Sequence, residues 1–197
     1  MDLRIGFFGD SFVNGFGDPD GLGWVGRVCA AASGRGHVVT CYNAGIRGNT
    51  SAEARDRWRD ETLRRLPPEH ARALVFSFGV NDCLTVSGGR RLEPAASVAN
   101  AWQILGEAKA LAPTLMVGPP PIAEPDVNAR VHALIPALQA VCQEKAVPFL
   151  DVFGPLLASD AWMHETAGGD GAHPGRGGYQ AVAALVDGWA PWRAWLP

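Results

Sequence analysis

A serine near the beginning of the chain and an aspartate and a histidine near its end have the side chains of a catalytic triad. Ser11 follows Gly9-Asp10, and Asp170 precedes His173 by three positions, which lets a carboxylate in the same turn reach the imidazole. A serine hydroxyl is a weak nucleophile at neutral pH and needs a base that a third group orients. We therefore predict that His173 accepts the Ser11 proton and that Asp170 fixes the imidazole tautomer. The alternative is that Ser11 and Asp170 only cap a turn or a loop.

Acyl transfer at a serine also needs hydrogen-bond donors aimed at the oxygen on which negative charge develops. The backbone amides of Ser11 and Gly48 and the side chain of Asn81 are the candidates. A glycine allows positive φ or a close approach of the backbone. Asparagine offers a neutral NH₂ donor at a place where an acid would repel the oxyanion. The alternative is that Gly48 and Asn81 are ordinary turn residues.

Short apolar runs alternate with longer stretches of helical period, which is typical of an α/β protein with a parallel sheet. The predicted strands are Leu3–Phe8, Val38–Tyr42, Ala73–Phe78, Leu115–Gly118 and Pro148–Val152. The predicted helices are Trp24–Ser33, Ser51–Arg65, Ala95–Leu111, Val127–Ala146 and Gly178–Trp189. The strands are apolar without clean alternation, as expected of strands covered on both faces. This pattern predicts a three-layer α/β/α sandwich around a five-stranded parallel sheet, with ligands beyond the carboxyl ends of the strands.

Composition and charge favour a one-domain protein that acts on a small molecule. The 197 residues, predicted to form one domain over 1–197, carry 17 basic and 20 acidic side chains, for a net charge of -3. This balance argues against nucleic acid as a partner. No apolar run approaches the ~20 residues of a membrane-spanning helix. The N-terminal segment is too short to contain the charged and apolar regions of a signal peptide. The four cysteines form no C-x-x-C pair, so we expect buried free thiols in a reduced, cytoplasmic protein.

Four motifs of the chain resemble, in order and approximate spacing, the four sequence blocks of the SGNH (GDSL) hydrolases. These motifs are Gly9-Asp10-Ser11, Gly48, Gly79-Val80-Asn81-Asp82 and Asp170-Gly171-Ala172-His173. Each motif alone is weak, but together they are specific and span nearly the whole chain. The competing α/β-hydrolase fold is disfavoured, because no serine lies in a G-x-S-x-G elbow.

The resemblance implies a flavodoxin-like fold and ester hydrolysis through an acyl-enzyme. It implies that Ser11 is the nucleophile and first oxyanion donor, that Gly48 and Asn81 complete the oxyanion hole, and that Asp170 and His173 complete the triad. No cofactor and no metal are expected for this family. Phe12 departs from the family pattern, which has leucine there, and this larger side chain is expected to alter packing beside the nucleophile but to leave the chemistry intact.

A substrate pocket is predicted from the loops around these motifs. In relatives the loop after the fourth strand often lines the acyl pocket, so Pro120 and Ile122 are expected to form one wall. Trp162, which precedes the predicted triad histidine, is expected to form another, and Phe12 lies beside the nucleophile. The alternative is that all four are packing residues.

The sequence favours a serine esterase or lipase-like enzyme that acts on small or lipid-like carboxylic esters. Two alternatives on the same fold are a carbohydrate O-acetylesterase and an acyltransferase, and a remote one is a non-catalytic module that binds a small ligand. Tryptophans recur every three residues from Trp189 to Trp195. They indicate either core packing or a contact between subunits of a homo-oligomer, since tryptophan is enriched at interface hot spots.

Overall fold

A computed structural model describes residues 2–196, so that Met1 and Pro197, the ends of the predicted domain, lie outside the described residues. The strands are β1 (Asp2–Gly9), β2 (Val38–Gly45), β3 (Ala71–Ser77), β4 (Thr85–Val86), β5 (Gly89–Arg90), β6 (Thr114–Val117) and β7 (Phe149–Leu150). The helices are α1 (Ser11–Asn14), α2 (Gly23–Gly34), α3 (Ser51–Arg65), α4 (Pro94–Leu111), α5 (Pro125–Glu144), α6 (Phe153–Leu157), α7 (Asp160–Gly168), α8 (Arg176–Gly188) and α9 (Ala190–Arg193).

Within residues 2–196, five strands form one parallel sheet in the order β2-β1-β3-β6-β7. Counted along the chain, this is the 2-1-3-4-5 order of flavodoxin-like folds. β4 and β5 form a separate two-stranded antiparallel hairpin. The predicted five-stranded parallel sheet and its flavodoxin-like topology are therefore confirmed.

Helices cover both faces of the sheet. Neighbouring residues of a strand point to opposite faces, so each strand contacts both layers of helices. On β1, Phe7 packs against Trp24 of α2, with 5.7 Å between ring centroids. The next residue, Phe8, stacks on Phe76 of β3, which in turn meets Trp58 of α3. α2 packs on α8 in one layer, and α3, α4 and α5 pack side by side in the other. Strand β1 thus lies between two apolar layers, which explains why its sequence does not alternate.

The ends of two predicted elements were wrong. The predicted helix Val127–Ala146 was extended too far, because Ala146 has a φ of +51° and cannot continue a right-handed helix. The predicted strand Pro148–Val152 is only two residues long, because the Asp151 carboxylate already accepts the amide of Phe153 at the beginning of α6. The other predicted strands and helices differ from the observed ones by at most three residues at either end.

The short elements were not predicted. They are α1, the β4–β5 hairpin, a 3₁₀ turn at Asn81–Cys83, α6, α7 and α9. Most are too short for a hydrophobic period to show over several turns. Helix α7 matters most for the site, since it places Trp162 in a helix where the sequence suggested a loop.

Strands β1, β2 and β3 end at the same level, which brings the loops that follow them together. Gly9 pairs with Gly45 on one side and with Ser77 on the other. A Cβ on Gly9 would lie 1.9 Å from the carbonyl oxygen of Ser77, so no larger residue fits between the strands there. The chain can therefore turn directly from β1 into Ser11 at the centre of this edge.

The C-terminal tryptophans contribute to the core. Trp192 is completely buried and its ring lies 6.2 Å from that of Phe7 and 6.1 Å from that of Trp195. Trp189 and Trp195 are half-buried against the same core. Core packing thus accounts for Trp192, and the predicted subunit contact stays a prediction. In residues 2–196 every helix is too short or too polar to cross a bilayer.

Candidate active site

The structure brings the three predicted triad residues into one chain of hydrogen bonds. The Nε2 atom of His173 lies 2.7 Å from the Oγ atom of Ser11. The Nδ1 atom of the same ring lies 2.7 Å from Oδ2 of Asp170. The other carboxylate oxygen, Oδ1, accepts the amides of Ala172 and His173 at 2.9 and 2.8 Å. A carboxylate fixed in this way can orient the imidazole toward the serine.

Ser11 begins the one-turn helix α1, and its position depends on the residue before it. The Asp10 carboxylate caps the helix by accepting the amide of Phe12 at 3.0 Å. Gly15 ends the helix with a φ of +86°, in the left-handed region. The first amides of a helix have no acceptor within it, so the Ser11 amide is free to donate toward a ligand.

The other two predicted oxyanion donors lie in the loops that follow β2 and β3. Gly48 has a φ of +78°, which explains the glycine. Asn81 begins the 3₁₀ turn, is 7% exposed, and donates from Nδ2 to Oδ2 of Asp10 at 3.3 Å. Because an amide NH₂ has two hydrogens, this contact leaves the second one for a ligand.

The loop that carries Gly48 is held from both sides. Thr50 and Glu53 form a reciprocal capping box at the beginning of α3. The Arg91 guanidinium donates to the carbonyl oxygen of Gly48 at 2.8 Å. The Arg57 guanidinium donates to the carbonyl oxygen of Gly9 at 2.8 Å and also to the ends of β2 and its loop. These side chains fix the backbone from which the predicted donors project.

Sequence reasoning missed Arg57 and Arg91, and no pattern pointed to either of them. Arg57 also pairs with Glu61 four residues later, which in the sequence alone looks like an ordinary surface pair on a helix. Arg91 follows the unpredicted hairpin, so its position over Gly48 depends on a turn that the sequence did not reveal.

Two aromatic rings pack on the His173 imidazole. The ring of Phe12 lies 4.9 Å from it at an angle of 33°, and the ring of Phe16 lies 4.9 Å from it at 87°. The Arg47 guanidinium lies over Phe16, 3.4 Å from the ring centroid. Phe16 was also missed, because a lone phenylalanine in a loop carries no functional signal.

The pKa values of two carboxyl groups near Ser11 are shifted in opposite directions. Partial burial opposes ionisation of Asp170, but hydrogen bonds from the His173 amide and ring and from the Ala172 amide outweigh it and lower the pKa of Asp170 to about 2. Burial, together with the negative charge of Asp82, raises the pKa of Asp10 from 3.8 to about 7, although hydrogen bonds from the Phe12 amide and the Asn81 side chain oppose this increase. Asp170 is therefore an anion at neutral pH, whereas Asp10 is neutral below about pH 7.

Asp82 is a second buried carboxyl close to this edge of the sheet. Its Oδ1 atom accepts the amide of Ser51 at 2.7 Å, at the beginning of α3. Its Oδ2 atom is buried and has no hydrogen-bond partner among residues 2–196. This carboxyl ties the loop after β3 to the first turn of α3.

The predicted pocket residues do not form an open pocket. Phe12, Pro120, Ile122 and Trp162 are all buried. Phe12, Pro120 and Trp162 are among the residues that line a small void of about 10 Å³, and the indole of Trp162 donates to the carbonyl oxygen of Pro121 at 2.9 Å. The prediction that Trp162 lines a substrate pocket was wrong, because α7 turns this side chain into the core beneath Phe12. Phe12 packs on the His173 ring, and Trp162 in turn stacks on Phe12 from the core.

An open groove lies on the other side of His173, and we call it the His173 groove. It has a volume of about 690 Å³. Its lining residues are Phe16, Gly17, Pro19, His164, Glu165, Gly168, Gly169, Asp170, His173, Pro174, Gly175 and Arg176. Because the groove is bordered by His173 itself, a molecule in it would lie beside the Ser11–His173 pair.

The described residues contain no cluster of metal ligands, and the cysteine that ends the 3₁₀ turn of Asn81 is not an activated thiol. Residues 2–196 contain no group of three or more histidine, cysteine or acidic side chains that could hold a metal ion. The four cysteines are free thiols. Burial raises the pKa of Cys83 to about 11, and the neighbouring Asp82 contributes to this increase. The thiol of Cys83 is therefore protonated at neutral pH and is a poor nucleophile.

Residues 7–181 match the GDSL-like lipase/acylhydrolase family. The chain belongs to this family, a class of carboxylic ester hydrolases, and the resemblance predicted from the four motifs is confirmed.

The individual relatives are more distant. The protein YpmR of Bacillus subtilis (strain 168) is 31% identical over 86 residues, which is 43% of this chain and 33% of YpmR. The chain thus matches about a third of the length of this curated relative.

Two solved structures share the fold over almost their whole length. The lipase/acylhydrolase from Enterococcus faecalis is 22% identical, with a TM-score of 0.77 over 98% of this chain and 97% of that one. The acetylxylan esterase Axe2 from Geobacillus stearothermophilus is 17% identical, with a TM-score of 0.75 over 95% of both chains. At these identities the likeness establishes the fold.

Proposed function

We propose that this protein is a serine esterase that hydrolyses small carboxylic esters through an acyl-enzyme formed on Ser11. The observation that carries this proposal is the hydrogen-bonded chain from Ser11 through His173 to Asp170, with 2.7 Å at each step between side chains. Family membership supplies the reaction class, and the geometry supports the assignment of roles.

In the first half of the reaction, the Oγ atom of Ser11 attacks the ester carbonyl carbon while Nε2 of His173 takes its proton. Negative charge then develops on the carbonyl oxygen, toward which the amides of Ser11 and Gly48 and the NH₂ group of Asn81 donate. Asp170 stabilises the imidazolium that forms, and its low pKa keeps it ionised in that role. His173 then gives the proton to the leaving alcohol as the ester bond breaks.

In the second half, water is the nucleophile, and the Oγ atom of Ser11 becomes the leaving group. Nε2 of His173 takes a proton from water, the water oxygen attacks the acyl carbon, and the proton returns to Oγ of Ser11 as the carboxylic acid leaves. If another alcohol attacks in place of water, the same steps transfer the acyl group. The acyltransferase alternative therefore uses the same residues, and product analysis with a competing alcohol separates the two.

The proposed substrates are carboxylic esters with a small acyl group. The void of about 10 Å³ that Phe12 lines holds at most about one water molecule, so it provides no room for an acyl chain. This observation favours small acyl groups over the lipid-like ones that the sequence also suggested. Axe2, which shares the fold, is an acetylxylan esterase, so acetylated carbohydrates are a second candidate class.

Covalent labelling tests the proposed function most directly. A fluorophosphonate should label the protein once, at Ser11, and p-nitrophenyl acetate should be hydrolysed. The variant Ser11→Ala should lose the label and about 10⁴-fold or more in kcat. Ser33→Ala, which changes an exposed serine of α2, is the matched control and should behave like the wild type. Turnover retained in Ser11→Ala, with a normal thermal unfolding transition, would exclude Ser11 as the nucleophile.

A further inference from the structure

Arg91 joins the two loops that carry the predicted oxyanion donors Gly48 and Asn81. Its Nη1 atom donates to the carbonyl oxygen of Gly48 at 2.8 Å and lies 3.5 Å from Oδ1 of Asn81. Both contacts are made to acceptor atoms, so they use neither the Gly48 amide nor the Asn81 NH₂ group. One guanidinium thus connects two predicted donors that follow different strands of the sheet.

The contacts of Asn81 define which way its amide group faces. A half-turn of the amide would exchange Oδ1 and Nδ2, and the hydrogen-bond partners decide between these two orientations. Arg91 can only donate, so it selects the orientation with Oδ1 toward the guanidinium. Nδ2 then donates at 3.3 Å to Oδ2 of Asp10, the residue directly before Ser11. The amide of Asn81 is therefore held from both ends, with its NH₂ group on the side of the nucleophile.

The guanidinium of Arg91 also affects the strength of Asn81 as a donor. A cation near the oxygen of an amide draws electron density from the nitrogen, which makes each N–H group a better donor, and this effect is larger away from water. Asn81 is buried, and the Arg91 side chain is only 26% exposed. The ion pair of Arg91 with Glu53 is long, with 3.4 Å between Nη2 and Oε2. Glu53 therefore offsets only part of the positive charge that the Asn81 amide experiences.

The backbone around Arg91 is held in place without the guanidinium. The Arg91 amide donates to the carbonyl oxygen of Leu84 at 2.9 Å, and the Leu92 amide donates to the carbonyl oxygen of Asp82 at 3.2 Å. These bonds tie the segment after the β4–β5 hairpin to the 3₁₀ turn that carries Asn81. A substitution of Arg91 is therefore expected to remove the guanidinium and to preserve the path of the chain.

We propose that Arg91 is a positioning residue of the oxyanion hole, which orients the Asn81 amide and strengthens it as a donor to the developing oxyanion. Arg91 acts through Asn81 and does not touch the substrate. This proposal rests on the proposed esterase function and adds a residue to the same site. It also gives the β4–β5 hairpin a role, because the hairpin returns the chain to the loop of Asn81 with Arg91 at its end.

A double-mutant cycle with p-nitrophenyl acetate tests this proposal, with Ser11→Ala as the blank. Arg91→Met keeps an unbranched apolar stem but has no charge and no donor, so kcat should fall about tenfold with a KM within about twofold. In Asn81→Ala the amide on which Arg91 acts is absent, so the addition of Arg91→Met should lower kcat by no more than about twofold. The two substitutions should thus be non-additive by at least about fivefold.

Two further variants separate the charge of Arg91 from the loss of any arginine in this segment. Arg91→Lys keeps a positive charge and a donor, so its kcat should be at least about threefold higher than that of Arg91→Met. Arg90→Met is the matched control, because Arg90 is the neighbouring exposed arginine and lines a separate cavity against α4 and α5. It should leave kcat within about twofold in both backgrounds. If Arg91→Met does not fold, Arg91→Gln, which has no charge, takes its place in the cycle.

Three results would overturn the proposal. The first is an unchanged kcat in Arg91→Met. The second is an equal loss of kcat in the wild-type and Asn81→Ala backgrounds, since Arg91 would then act through the loop of Gly48 or through stability alone. The third is a kcat of Arg91→Lys no higher than that of Arg91→Met. A different failure, with no hydrolysis of p-nitrophenyl acetate by the wild type and no label at Ser11, would contradict the esterase function itself.

Discussion

The ring of Phe16 meets the imidazole of His173 edge to face, with 4.9 Å between centroids and 87° between planes. Phe12 packs on the same imidazole at 4.9 Å. The orientation of His173 is therefore set by two aromatic contacts as well as by its hydrogen bond to Asp170. Phe16 is itself held in place, because the Tyr179 hydroxyl donates to its carbonyl oxygen at 2.7 Å.

Loss of the Phe16 ring should reduce turnover more than substrate binding. In Phe16→Ala the imidazole is freer to rotate away from Ser11, so we expect kcat for p-nitrophenyl acetate to fall about tenfold with a KM within about twofold. The conservative variant Phe16→Tyr should restore most of kcat. Phe149→Ala, which removes a half-buried ring from the edge strand β7, is the control. A fall in stability with unchanged kcat in Phe16→Ala would show that the ring has only a structural role.

Replacement of Asp170 should reduce the rate across the whole pH range. Because its hydrogen bonds with His173 and Ala172 lower the pKa of Asp170 to about 2, the carboxylate stays ionised throughout the range in which the protein can be assayed. Asp170→Asn should lower kcat about 10⁴-fold, because the amide favours the wrong imidazole tautomer. Steady-state kinetics from pH 5 to pH 9 measures this effect, with Asp60→Asn on the exposed face of α3 as the control. A loss confined to acidic pH would contradict the orienting role of Asp170.

The side chain of Asn81 should matter in the transition state and little for ground-state binding. Asn81→Ala removes one donor from the predicted oxyanion hole, so we expect kcat to fall about 10²–10³-fold with little change in KM. Asn14→Ala, which removes an exposed amide at the end of α1, should leave kcat unchanged. If Asn81→Ala instead raises KM at constant kcat, the side chain binds substrate and transition state equally.

Asp10 should make the folded protein less stable as the pH rises. Burial raises the pKa of Asp10 to about 7 in the folded protein, against 3.8 for an ordinary aspartate. Between about pH 4 and pH 7 the folded state thus binds more protons than the unfolded chain, so the free energy of unfolding decreases with increasing pH in this window. Above about pH 7 the native state contains a buried anion near Asp82.

The variant Asp10→Asn tests this pH dependence, because it keeps an oxygen to cap the Phe12 amide but cannot ionise. Its thermal midpoint should decrease less between pH 4.5 and pH 8 than that of the wild type, by several degrees. Asp60→Asn should retain the wild-type pH dependence. Identical pH profiles for Asp10→Asn and the wild type would show that Asp10 is ionised in the folded protein at low pH as well.

Much of the architecture follows from local sequence signals. The helix Ser51–Arg65 was predicted to the residue, because Thr50 and Glu53 form a capping box and Pro67-Pro68 follows its end. Ser11, Asp170 and His173 were predicted because a triad needs these residue types in the short motifs that carry them. In contrast, the packing of Phe16 on His173 depends on the path of an irregular loop, which leaves no periodic signal.

The pocket prediction for Trp162 was wrong for the same kind of reason. Its position before His173 in the sequence suggested a place on the rim of the site. Helix α7 turns the indole toward Phe12 and Tyr179, where its N–H finds the carbonyl oxygen of Pro121. A tryptophan with a polar partner inside the core is indistinguishable in sequence from one at a surface.

The bond between His173 and Ser11 joins residues 162 positions apart along the chain. A refolding chain in which β1, β2 and β3 have formed already holds the nucleophile and the predicted oxyanion donors, but it has no base. The base arrives only when the segment from α7 to α8 docks, with the Arg176–Asp20 ion pair and the Tyr179–Phe16 hydrogen bond. We expect this docking to be a late step, because loop entropy must be lost before such long-range contacts can form. Recovery of ester hydrolysis during refolding should therefore report when this segment docks. It should not occur before Trp162 becomes buried.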